Sequence, residues 1–166
     1  MDAAPVLIRI ARRLRETALE AIMIGNAAAA LQGAPVTTVD VDFLFRKTPA
    51  NLRKLKKVAR ALDATILRPY YPTSDLYRLM AEDQALQLDF MAAIHGLRSY
   101  NSVKSRAISV EVGGEKFLVA SLPDIIASKR AANRPRDRAV IDVLTRTLKK
   151  QEDVAPREAQ GAETGK

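Results

Sequence analysis

The stretch Val39-Asp40-Val41-Asp42-Phe43-Leu44-Phe45 alternates apolar and acidic residues before running into an apolar end. No other feature of the sequence constrains the fold as much. Side chains two apart on a strand point to one face, so this stretch predicts a strand with Asp40 and Asp42 side by side on one face. Val39, Val41 and Phe43 are then turned into a core on the other. Adjacent carboxylates repel unless solvent or a cation relieves them. Magnesium suits the spacing, since it prefers oxygen ligands, binds through one or two carboxylates and completes its shell with water and substrate phosphate. A half-solvated acidic strand is the other explanation of the pair.

The pattern returns in Leu86-Gln87-Leu88-Asp89-Phe90, where the apolar residues mark a buried face and Asp89 turns away with Gln87. Were the two strands neighbours, Asp89 would join Asp40 and Asp42 in the ligand set of a two-metal site, with ions about 3.5–4 Å apart. Spacing alone does not fix which strands adjoin. Upstream, Ala21-Ile22-Met23-Ile24 reads as a short buried strand broken by Gly25-Asn26 before an alanine-rich helix over residues 27–32. A glycine there lets the backbone approach a phosphate, and the first amides of the helix offer donors. Gly25 and Asn26 are therefore candidate phosphate contacts, with an ordinary helix start as the alternative.

Around these strands, residues 5–19 place Val6, Ile10, Leu14 and Ala18 on one helical stripe. Thr48-Pro49 opens another helix with a hydroxyl cap and a proline suited to the first turn, and Leu52, Leu55, Ala59 and Leu62 supply its apolar side. Short strands are expected at residues 65–68, 76–81 and 85–90, with a polar turn at Glu82-Asp83. A hairpin joins residues 108–112 to 116–119 across Gly113-Gly114. Ser121-Leu122-Pro123-Asp124 matches a capping box whose helix stops near Arg134-Pro135, and a last helix follows over residues 136–149. This order predicts a mixed α/β (α+β) sheet packed against helices, in one domain over residues 1–150. Residues 151–166 hold little to bury and are expected to form a disordered tail.

The chain has no cysteine, which excludes disulfides, thiolate zinc sites and a thiol nucleophile. Its single histidine, His95, excludes histidine-clustered metal sites and is expected at a loop or helix end, without a catalytic role. No apolar run nears the roughly 18 residues of a membrane helix, and the arginines after Val6-Leu7-Ile8 are not a signal-peptide layout. A cytoplasmic protein without membrane contact is therefore expected. The net charge of +8 points to an acidic partner such as nucleic acid or a nucleoside triphosphate, or else to solvated basic faces. Between positions 46 and 60, Arg46, Lys47, Arg53, Lys54, Lys56, Lys57 and Arg60 occur without an acid. On a helix beside the carboxylate strand they would guide RNA or triphosphate. Tyr70 and Tyr71, flanked by Pro69 and Pro72, read either as a base-stacking pair or as packing at the domain edge.

Met23-Ile24-Gly25-Asn26 followed by Thr37-Thr38-Val39-Asp40-Val41-Asp42 resembles the minimal nucleotidyltransferases of the DNA polymerase β-like superfamily. It resembles especially the small bacterial and archaeal group that includes toxin–antitoxin nucleotidyltransferases. The resemblance covers most of residues 20–145. It implies a nucleotidyltransferase fold, Asp40 and Asp42 as magnesium or manganese ligands, and Asp89 in Leu88-Asp89-Phe90 as a third carboxylate. It implies transfer of a nucleoside monophosphate from a nucleoside triphosphate to a hydroxyl of RNA, protein or a small molecule. It also implies that Lys129 and Asp137 lie near the nucleotide, although Asp137 reads as well as a partner of Arg134 or Arg138, the reading that the residues alone favour. Two positions depart from the family pattern. Asn26 replaces the second small residue of the phosphate turn, and Val36 stands near the place of an arginine. These departures keep a second reading open, an inactive module that binds nucleic acid or a partner protein, as in a toxin–antitoxin pair.

Overall fold

The computed structural model describes residues 3–68, 75–81, 85–97 and 99–161. Along the chain run α1 (Ala4–Thr17), β1 (Ala21–Ile24), α2 (Gly25–Leu31), β2 (Val41–Phe45), α3 (Pro49–Ala61), β3 (Thr65–Leu67) and β4 (Leu76–Ala81). They are followed by β5 (Leu86–Met91), α4 (Tyr100–Arg106), β6 (Ile108–Val112), β7 (Glu115–Val119), α5 (Leu122–Ala132) and α6 (Pro135–Gly161). The described strands form one mixed sheet in the order β3-β4-β5-β2-β1-β7-β6. The carboxylate strand β2 lies at its centre, parallel to β5 and antiparallel to β1.

Register sorts the side chains onto two faces. Phe43 pairs with Phe90 across β2 and β5, and their rings stack at 4.9 Å. Phe117 lies 6.3 Å from Phe43, and Tyr77 meets Phe45 edge-on at 5.7 Å. This aromatic layer is the core, and Phe43, Phe45, Phe90 and Phe117 are almost wholly buried. Helices α1 and α3 pack side by side, with α1 also against β6 and β7 and α3 against β3. The opposite face carries a row that crosses four strands, with polar Asp42 on β2, Asp89 on β5 and Arg78 on β4 and apolar Leu67 on β3.

Local chemistry explains the element ends. The Thr48 hydroxyl accepts from Asn51 N ahead of Pro49, and the Ser121 hydroxyl accepts from Asp124 N. The Asp124 carboxylate does not close the capping box. It accepts from Arg106 Nε, 3.0 Å from each oxygen, and so ties α5 to α4.

The structure corrects several expectations. Strand β2 begins at Val41, so Asp40 lies just outside the ladder. Thr38 Oγ1 donates to Asp40 O at 2.6 Å and accepts from Asp40 N at 3.2 Å, taking both backbone groups that a strand would pair. Val39 is not in the core but 89% exposed, since the chain enters the sheet only after it. Helix α2 starts directly at Gly25. Helix α4 fills a stretch that sequence reading leaves unassigned; Ser99 caps it, and Tyr100 and Val103 anchor it. Helix α6 continues through Gly161, past position 149, so residues 151–161 are helical and not a structureless tail. Their side chains are exposed over residues 151–155. Helix-favouring Gln, Glu and Ala sustain the helix there without burial, and Gln151 Nε2 donates to Gln32 O at 2.6 Å. Tyr70, Tyr71, the Glu82-Asp83 turn and residues 162–166 lie outside the described residues.

Candidate functional site

Asp42 and Asp89 are direct partners across the parallel β2–β5 pair, so their side chains leave the same face of adjacent strands. Asp89 is 7% exposed. Burial, then the charges of Asp89 and Asp40, push the Asp42 pKa up to about 6, against the opposing pull of Lys129 and Arg134. The three acidic residues that the sequence singles out therefore share one electrostatic neighbourhood in which each resists ionisation of Asp42.

The turn after β1 fits closely against this group. Gly25 has φ +71°, and a Cβ added there would stand 3.0 Å from Asp42 Oδ2. Only glycine gives the backbone conformation and the room together. Asn26, the next residue, has a buried Oδ1 without a hydrogen-bond partner. Gly25, Asn26, Thr38, Asp40 and Asp42 line one side of a recess of about 210 Å³, and Lys129, Arg134, Arg136 and Asp137 close the other. The recess adjoins a larger cleft of about 290 Å³, which shares Gly25, Asp42, Lys129 and Arg134 and extends along Ile94, His95 and Ile125. His95, to which the sequence gives no catalytic role, stands exposed on the wall of this cleft.

Lys129 is held in place by its surroundings. It is 8% exposed, and Nζ donates to Asp137 Oδ1 at 3.3 Å, while Arg134 Nε donates to Asp137 Oδ2 at 2.7 Å. Burial raises the Asp137 pKa, but the hydrogen bonds from Arg134 and Lys129 outweigh it and hold this carboxyl below its ordinary value. Both readings of Asp137 thus meet in one residue: it pairs with Arg134 and it lines the recess.

Arg78 is the site residue that sequence reading missed. From β4 it grips Asp89 with both arms of its fork, Nε to Oδ1 at 2.8 Å and Nη2 to Oδ2 at 2.9 Å. Nothing in the spacing of Arg78 and Asp89 announces this, because the contact depends on the β4–β5 register. A period-two reading of β4 from Leu76 does place Arg78 on one face, and that was the only signal available. Among the described residues no three acidic or imidazole side chains gather closely enough to enclose an ion unaided. Asp40 and Asp42 still offer hard oxygens to one recess, and that donor set fits an ion that takes one or two carboxylates and fills its shell with phosphate and water.

The basic segment divides. Arg46 pairs with Glu20 and lies over the Tyr100 ring, Lys47 pairs with Asp75, and Lys54 Nζ donates to Ala18 O. Arg53, Lys56, Lys57 and Arg60 are exposed on one side of α3 and make no ion pair with any described acid. Since α3 stands beside α1 and not in the recess, the stripe does not join the carboxylates. No described helix is long and apolar enough to cross a membrane.

A family model described as "nucleotidyl transferase of unknown function (DUF2204)" matches residues 4–158. No curated protein matches the sequence. Among solved structures, a proposed nucleotidyltransferase from Thermotoga maritima (TM1012) superposes with a TM-score of 0.58 at 20% identity, over 88% of this chain and 92% of that one. ANT(2")-Ia in complex with adenylyl-2"-tobramycin gives 0.64 at 14% identity, over 94% and 95%. The solution structure of the same antibiotic-resistance factor gives 0.59 at 12%, over 97% and 100%. At such identities the likeness is one of fold.

Proposed function

Because this chain belongs to that nucleotidyl transferase family of unknown function, we propose that it moves a nucleoside monophosphate from a nucleoside triphosphate to an acceptor hydroxyl. The observation that carries the reading is the meeting of Asp42 and Asp89 on adjacent strands beside Asp40, Gly25, Asn26 and Lys129. The acceptor oxygen bonds to the α-phosphorus, the bond to pyrophosphate breaks, and the hydroxyl proton passes to a carboxylate oxygen, the role this reading gives to Asp89. Asp40 and Asp42 would hold magnesium or manganese, which when bound neutralises phosphate charge and polarises the reacting phosphoryl group. Gly25 leaves backbone access to the phosphates, and Asn26 lines the recess that they would occupy. Lys129 supplies fixed positive charge there. ANT(2")-Ia, by its bound adenylyl-2"-tobramycin, illustrates such a product on this fold.

One observation favours a second reading. Arg78 occupies both oxygens of Asp89, as befits an inactive module that binds RNA through the α3 stripe or binds a partner protein, for instance within a toxin–antitoxin pair. Nucleotide-dependent stabilisation tests the first reading. Magnesium with a nucleoside triphosphate raises the melting temperature of the wild type by mass action and leaves an Asp40→Ala/Asp42→Ala variant unmoved. An unmoved wild type contradicts the proposal.

A further inference from the structure

The carboxylates sit between two groups of cations. Lys129 and Arg134 face the recess on the β1 side, and Arg78 stands on the β4 side. With the triphosphate in the Gly25–Lys129 recess, which Asp89 does not line, the other side of Asp89 is flanked by β4 and then β3. That surface offers Arg78 with a third of its side chain exposed, Leu67 at 45% exposure and, one row on, Thr65, Met80 and Gln87. Arg78 pairs with Asp89, and Asp42 lies next to Asp89 in the same row.

We propose that Arg78 is the receptor for a phosphate on the acceptor, so that the hydroxyl receiving the nucleotidyl group adjoins a phosphate, as in a nucleotide or an RNA end. The inference rests on the transferase reading above. Arg78 suits the task because guanidinium binds phosphate with the same two-armed geometry it now uses on Asp89. A phosphate that takes over the fork releases the Asp89 oxygens at the moment the hydroxyl arrives, and Asp89 then accepts its proton. The pair also keeps the carboxylate from standing buried and uncompensated while no acceptor is bound. Arg78 is thereby specificity-determining, and it positions Asp89.

Titration calorimetry with adenosine, adenosine 5′-monophosphate and the dinucleotide adenylyl-(3′→5′)-adenosine tests this on the full chain without requiring turnover. Wild type binds a phosphate-bearing probe at least about tenfold more tightly than adenosine, the usual scale of a charge-assisted pair. A preference for the dinucleotide over the mononucleotide identifies an RNA end as the source, and the reverse identifies a free nucleotide. Arg78→Gln abolishes the preference. Arg78→Lys keeps the charge without the fork, retains part of the preference, and guards against misreading a folding defect. In transfer assays Arg78→Gln raises KM for the phosphate-bearing acceptor more than KM for adenosine, whereas loss of Asp89 positioning alone would affect both acceptors alike. Equal binding of all three probes by wild type, or an Arg78→Gln variant that keeps the preference, overturns the proposal. So does tighter binding of a polycation such as tobramycin. Failure of nucleotidyl transfer with the binding preference intact would instead fault the transferase reading.

Discussion

Gly25 and Asp42 fit against each other so closely that a Cβ at Gly25 would stand 3.0 Å from Asp42 Oδ2, in a backbone conformation with φ +71°. Gly25→Ala therefore pays for left-handed backbone, roughly 1–2 kcal/mol, and must also displace the carboxylate. We expect a lower melting temperature together with loss of the magnesium–nucleotide stabilisation. A variant that melts lower but still responds to nucleotide would separate the turn from the site.

Asp42 gives the protein a pH signature. Its folded pKa of about 6 exceeds the ordinary value of 3.8, so the native state holds the proton that the unfolded chain gives up. Stability is then lost as pH rises through that window, and the cost is fully present above about pH 6. The displacement corresponds to about 3 kcal/mol at most, less whatever solvent screening removes. Asp42→Asn should flatten this part of the profile and be more stable than wild type at pH 7 without divalent ions. Urea unfolding of both proteins between pH 4 and 7.5 measures the difference, and parallel profiles would refute the assignment. Magnesium at pH 7 should narrow the gap in favour of wild type.

The Lys129–Asp137 pair is buried on both sides, with Arg134 as a second partner. Lys129→Met leaves Asp137 with Arg134 alone, and we expect a loss near the low end of the range for broken buried pairs, about 3 kcal/mol. Replacing both, as Lys129→Met/Asp137→Leu, should recover much of that. A double-mutant cycle in urea checks the coupling, and additive losses would mean that the pair is not coupled.

Arg53, Lys56, Lys57 and Arg60 on α3 are proposed to contact RNA phosphates. Lys56→Gln/Lys57→Gln should change stability by no more than about 0.5 kcal/mol, as befits exposed positions, and should weaken binding to single-stranded RNA. Filter binding across a salt series reads the outcome, with the slope falling by about 0.7 for each phosphate contact removed. Binding that ignores both salt and substitution would return this face to solvent.

The parts of the site legible in the sequence were those that local chemistry dictates. Asp42 on its strand, the Gly25 turn and the Thr48-Pro49 helix start follow from period, conformation and capping within a few residues. What escaped depends on which strands adjoin and in what register. The neighbourhood of Asp42 and Asp89 remained conditional until β5 was seen beside β2, and the Arg78 grip on Asp89 had no sequence signal beyond a shared strand face. Val39 was misassigned to the core because alternation was extended one pair of residues beyond the ladder, where Thr38 takes over the Asp40 backbone groups. Helix α4 was missed because seven residues with two buried anchors carry too little periodicity to detect.

Incubation of the protein with each α-labelled nucleoside triphosphate, magnesium or manganese and a mixed pool of RNA, protein and small-molecule acceptors, beside Asp40→Ala/Asp42→Ala, tests the central claim most directly. The account predicts that wild type transfers label and the variant does not, which would also identify the base and the class of acceptor. Label transferred equally by both proteins, or by neither across the whole pool, would contradict it.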